Sequence, residues 1–133
     1  MTETNAWNEW TLVAGHPWQH FVTLTFPWDT SKARADKSWR VYISKVARLT
    51  MSANQARRKG LPWVRSLEEH VSGSTHIHAL VSGCQAKDLI RLWEELVSSY
   101  AIIDVRPYNP TLGGFAYLVK DGDVDVSRYF TAA

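Results

Sequence analysis

The chain has 133 residues, 45% of them hydrophobic and 21% charged, with a formal net charge of +2. That length suits a single domain over residues 1–133 built on one core, and no apolar run approaches the roughly 20 residues that a membrane span needs. The single cysteine, Cys84, excludes an internal disulfide and argues against a cysteine-based zinc site; with no secretory signal visible, the expected setting is the cytoplasm, away from any membrane.

Charge is unevenly spread. From Lys32 to Arg65 there are ten basic residues and one acid, Asp36, whereas from Ser66 onward there are five basic and nine acidic residues. The basic half reads as a solvated helix face or as the electrostatic footprint of a phosphate backbone, and charge alone does not separate the two. The seven tryptophans are mostly core candidates, although exposed ones could stack on unpaired bases.

In chain order, residues 1–17 form a peripheral segment, a docked helix or an edge strand, with Trp7, Trp10 and a Gly15-His16-Pro17 turn. Gln19 to Phe26 reads as a strand ended by Pro27, with Val22, Leu24 and Phe26 facing the core and Phe21, Thr23 and Thr25 the other surface. Asp29, Thr30 and Ser31 are N-cap candidates for a long helix to about Arg58, its stripe made of Trp39, Tyr42, Ile43, Val46, Leu49 and Ala53. Gly60 and Pro62 end it. Trp63 to His70 reads as the second strand, followed by a hairpin loop around Gly73 and a strand from Thr75 to about Val81. A second amphipathic helix spans Ala86 to Tyr100, with Leu89, Ile90, Trp93, Leu96, Val97 and Tyr100 inward. Ala101 to Arg106 forms a short strand. Asn109 caps a third helix, with Pro110 at its first position, that ends near Asp121-Gly122. Val124 to Tyr129 can form a last strand. The expected class is α+β: a ferredoxin-like, RRM-like split βαβ antiparallel sheet with helices on one face and the candidate active site on the other.

Thr75-His76-Ile77-His78-Ala79-Leu80-Val81 carries the chemistry. A strand repeats every two residues, so His76 and His78 share one face while Ile77, Ala79 and Val81 share the other. Two adjacent imidazoles begin a divalent-metal site, or are simply polar residues on a solvated sheet face. A third ligand should come from the partner strand. With the loop centred on Gly73, Glu68 lies directly across from His78; with Ser72-Gly73 as a two-residue turn, Glu69 faces His76 instead. The spacing favours Glu68. Two histidines and a carboxylate suit Mn2+ or Mg2+. Further on, Tyr117 and Lys120 are three apart on a helix and share a face. Beside a metal-bearing sheet, a tyrosine hydroxyl can attack a phosphodiester and a lysine can orient or balance its charge.

Together these stretches resemble a rolling-circle replication initiator endonuclease of the HUH (histidine-hydrophobic-histidine) superfamily, of the single-tyrosine type. Phe21-Val22-Thr23-Leu24-Thr25-Phe26 resembles the first family motif, Glu68 with Gly73 and His76-Ile77-His78-Ala79-Leu80 the second, and Tyr117-Leu118-Val119-Lys120 the third, in family order. The resemblance implies that His76, His78 and a glutamate hold one cation over the scissile phosphate of single-stranded or hairpin DNA. It implies that Tyr117 attacks, leaving a 5′-phosphotyrosine and a free 3′-OH. Thr23, Thr25, Arg57, Arg58, Lys59 and Arg65 are the expected DNA contacts. A helicase would be a separate protein, and the endonuclease a monomer or weak dimer. The chain departs from many relatives after Lys120, where Asp121-Gly122-Asp123 replaces an aromatic and basic pair.

Three rivals remain in view. A single-tyrosine transposase of the same superfamily predicts dimer-dependent cleavage. A non-catalytic RRM-like nucleic-acid-binding module predicts binding that survives loss of both histidines. A two-histidine phosphoesterase needs a His-x-Thr/Ser element twice, which this chain lacks. Asp121 to Asp125 resembles a calcium loop but has Val126 and Ala132 where glycine and glutamate are needed, and reads as a turn. His16, His20 and His70 have no spacing partner and read as structural or exposed.

Overall fold

Runs of alternating apolar and polar residues become the strands β1 (His20–Leu24), β2 (Trp63–Glu69), β3 (Thr75–Val81), β4 (Ile103–Pro107) and β5 (Asp123–Val126). They are seen in a computed structural model that describes residues 10–71, 73–120 and 123–131. All pairings are antiparallel, in the order β4-β1-β3-β2-β5. β1 and β3 lie at the centre, and β5 extends the sheet beyond β2. This is the expected α+β, split βαβ arrangement.

Helices α2 (Lys32–Thr50), α3 (Ala53–Arg58) and α4 (Ala86–Leu96) follow the strands in the expected order. Val22, Leu24, Ile77 and Ala79 project from the sheet into a core shared with Trp39, Tyr42 and Val46 of α2 and Leu89 and Trp93 of α4. The Tyr42 hydroxyl donates to the Leu89 carbonyl at 2.6 Å, joining the two helices. The opposite face is not bare. Val64 and Leu80 pack there with Leu118 of α5 (Gly114–Lys120) and with Val13 and Trp18, from and just after the helical residues 10–15 (α1). The docked-helix alternative for the N-terminal segment therefore holds for its described part; Trp7 lies outside the described residues.

Several boundaries differ from the sequence reading, each for a local reason. The long helix is two helices. Ser31 caps α2, its hydroxyl accepting from the Arg34 amide at 3.2 Å. Met51 then turns extended, and Ser52 starts α3 with a reciprocal capping box to Gln55. The Ser-x-x-Gln signal was present in the chain. Leu49, still within α2, is exposed and not part of the core stripe. α4 stops at Leu96, leaving Tyr100 exposed. The third helix begins as a 3-10 turn, Pro110–Leu112, capped by Asn109 Oδ1 on the Thr111 amide at 3.0 Å. Gly113, with φ 70°, separates it from α5.

Arg65 corrects an expectation of function. It lies two residues from Leu67, shares its face and so points to the helices, where it is only 4% exposed. Its guanidinium donates to Asp36 Oδ1 of α2 at 2.8 Å and to the Asp123 carbonyl at 2.6 Å, locking α2 to β2 and β5. A buried, paired guanidinium does not contact DNA. Arg40 joins the network through Asp36 and Asp125. Burial pushes the Asp36 carboxyl up, but hydrogen bonds and charge from Arg40 and Arg65 outweigh it and hold it below the ordinary carboxylate range. A lowered folded pKa contributes stability that is full above the unfolded value near 4 and is lost as pH falls through the folded one. Asp36→Ala should therefore cost about 2 kcal/mol at pH 7, less than a fully buried pair because Asp36 is part-exposed. Urea melts should show that deficit shrinking toward pH 2.

Candidate functional site

β3 is the strand that joins core and site. Its Ile77 and Ala79 are buried against α2 and α4, which forces His76 and His78 onto the other face. There His78 lies opposite Thr23 of β1 and Ser66 of β2, and Thr23 lies opposite Asp104 of β4. A polar row thus crosses four strands beside the apolar patch under α5.

The hairpin register differs from that expected. Glu68 is directly across from His76, not His78, and Glu69 is across from Thr75. The loop closes with the His70 amide donating to the Ser74 carbonyl at 2.8 Å and the Gly73 amide to the His70 carbonyl at 2.9 Å, centring it one residue before Gly73. Relative to the favoured register this moves the pairing by two residues, so Glu68 keeps the histidine face. The register that would bring Glu69 to His76 is not formed. Glu68 reaches diagonally, its Oε2 2.9 Å from His78 Nε2. The Thr23 hydroxyl lies 3.3 Å from His78 Nδ1. A proton on Nε2 is donated to Glu68, and the Thr23 hydroxyl, which can donate or accept, meets Nδ1.

His76 is held differently. Its ring lies against His70, centroids 4.0 Å apart. Burial first, then the charges of His70 and His78, lower its pKa against the opposing pull of Glu68. That shift favours the uncharged imidazole, the form whose lone pair a cation can take. His70 is exposed, one of the two outcomes its sequence allowed, and the hairpin's closure, which spacing does not show, sets its ring against His76.

Tyr117 reaches the same face from α5. Its ring centroid is 6.0 Å from that of His78, edge to face, and the residue is 58% exposed. Leu118 anchors the helix among Val64 and Leu80. Gly114 allows a close approach: a Cβ there would stand 3.0 Å from Phe21 Cδ2 and 3.4 Å from Tyr108 Cε1. Lys120 is exposed at the last position of α5.

The remaining expected DNA contacts divide. Thr23 belongs to the site, while the Thr25 hydroxyl donates to the Ile102 carbonyl at 3.1 Å. Arg57, Arg58 and Lys59 are exposed, but they precede the start of β2 at Trp63. Glu68 sits near the other end of that strand, about 17 Å away at the usual rise. Those three cations are not brought to the histidines. Lys59 instead lies over the Tyr129 ring, 4.7 Å from its centroid. Burial pushes the Cys84 thiol up to about 12, which disfavours the reactive thiolate.

Among the described residues, no three His, Cys, Asp or Glu side chains already converge as metal ligands. The donor chemistry nevertheless fits one divalent cation. A neutral imidazole, a second imidazole and a carboxylate project from one face of adjoining strands, with Glu68 opposite His76 and bonded to His78. As described, Glu68 and His78 satisfy each other.

Fold and site thus define an α+β protein whose antiparallel sheet presents a His-x-His strand, a glutamate and a helical tyrosine on one face. No protein-family model matches the chain, and no curated protein matches it. A solved structure that is similar is the hypothetical protein ORF119 from Sulfolobus islandicus rod-shaped virus 1, at 14% identity and a TM-score of 0.53, over 87% of this chain and 92% of that one. At such identity the likeness speaks for the fold alone. No helix among the described residues is long and apolar enough to cross a membrane.

Proposed function

We propose that the protein nicks and rejoins single-stranded DNA through Tyr117, as in the initiation of rolling-circle replication. One observation carries the reading: the tyrosine of α5 stands over His78, which is itself bonded to Glu68. His76, His78 and Glu68 would hold one Mn2+ or Mg2+, which when bound supplies positive charge at a non-bridging phosphate oxygen. Tyr117 Oη attacks phosphorus; the Oη–P bond forms as the bond from phosphorus to the 3′ oxygen breaks. The phenol proton leaves to solvent, and the departing oxygen takes one up. The products are a 5′-phosphotyrosine and a free 3′-OH, and the reverse attack rejoins the strand. Lys120, one turn beyond Tyr117, balances charge on the phosphate.

The test is incubation with labelled single-stranded DNA pools and Mn2+, followed by a denaturing gel that resolves a covalent adduct. Glu68→Ala should lower adduct formation by about a hundredfold or more, in line with loss of a metal ligand, while Glu69→Ala leaves it within about twofold. Equal effects of the two would sink the ligand assignment. The closed Glu68–His78 pair favours one second reading, a non-catalytic single-strand-binding sheet. It predicts no adduct under any metal condition and binding that survives loss of His76 and His78.

A further inference from the structure

Beside Tyr117 a groove of about 350 Å3 runs between β1, β4 and the start of α5. Its walls include the rings of Phe21, Tyr108 and Tyr117, and its rim carries Asp104 and Arg106. The strand register builds it. Phe21 pairs with Arg106 and Thr23 with Asp104, so the two charged side chains stand on the histidine face at the β4 edge. Gly114 lets α5 press close to Phe21 and Tyr108. Arg106 is exposed and bonds Asp104 through Nε, at 2.9 and 3.2 Å. Among the described residues its hydrogen bonds use Nε alone, leaving both terminal nitrogens to donate.

We infer that this groove seats one unpaired nucleobase of the DNA strand, stacked on the aromatic wall and read at its edge by Arg106, next to the phosphate that Tyr117 attacks. The inference takes its ligand from the nicking reading. Aromatic rings flanking a cationic edge are the general means of holding single-stranded nucleic acid, because every base has a π face. The two terminal nitrogens of a guanidinium match adjacent acceptors, and guanine presents such a pair as O6 and N7. Guanine is therefore the preferred occupant.

The experiment measures fluorescence anisotropy, with chelator present, on a labelled twelve-nucleotide thymidine strand and on the same strand with one central guanine. Wild type should bind the guanine strand about five- to tenfold more tightly. Arg106→Ala should abolish that preference, and Tyr108→Leu should weaken both strands about tenfold. Tyr108 is half-buried, so the exposed Arg106 variant carries the test if Tyr108→Leu fails to fold. Unchanged affinity and preference in a folded Arg106→Ala would overturn the groove and leave the nicking reading intact. Groove-dependent binding without any adduct in the Mn2+ assay would uphold the groove and overturn nicking. A wild-type protein that binds neither strand would overturn the groove, while the nicking reading stands or falls on the adduct assay.

Discussion

Tyr117→Phe should abolish the covalent protein–DNA adduct and lower Mn2+-dependent nicking by at least about a thousandfold. The substitution keeps the ring, its edge-to-face contact with His78 and the packing of α5, and removes the one oxygen proposed to attack. Since the side chain is more exposed than buried, the melting temperature should stay within a few degrees of wild type. A loss of adduct therefore reports chemistry and not folding. An adduct that survives in this variant would end the assignment of Tyr117 and move attention to Tyr108, the other tyrosine lining the adjoining groove.

Trp93→Ala should cost about 3–5 kcal/mol, a large part of the stability of a domain this size, and lower the melting temperature by roughly 10–20 °C. The side chain is fully buried in α4, its ring 5.1 Å from those of Phe26 and Tyr42. Its indole Nε1 also donates to the Thr25 carbonyl at the end of β1, at 3.2 Å. Truncation removes packing and leaves that carbonyl short of a donor. Trp28→Ala is the control: its side chain is 53% exposed, and its loss should move stability by no more than about 0.5 kcal/mol. A calorimetric scan in which the two variants melt alike would contradict the core as described.

The strands were legible because each carries its own period. In β3 the alternation of Ile77 and Ala79 with His76 and His78 sets both faces without reference to anything distant. The same rule, applied to Arg65 beside Leu67, would have placed its guanidinium among the helices; the run of basic residues masked it. Register was less accessible. Whether Glu68 meets His76 or His78 depends on how the loop after His70 closes, a matter of a few backbone hydrogen bonds that composition does not specify. The break at Met51 was written in the Ser52–Gln55 box but hidden by a helical apolar stripe that continues through it. Of the row from Ser66 to Asp104, Thr23 and His78 were placed on the site face by their own strand periods; that Ser66 and Asp104 join them depends on the pairing of β2 and β4 with the two central strands, which no single stretch specifies.

β3 has a central place in the sheet, with buried side chains on one face and the histidines on the other. A slip of one residue along either neighbour would turn both imidazoles into the hydrocarbon and bring Ile77 and Ala79 out to the site. Fold and chemistry therefore cannot drift apart by small shifts of this strand. Change at the site has to come by exchanging side chains at fixed positions, or by remodelling the hairpin and α5, which approach β3 from outside.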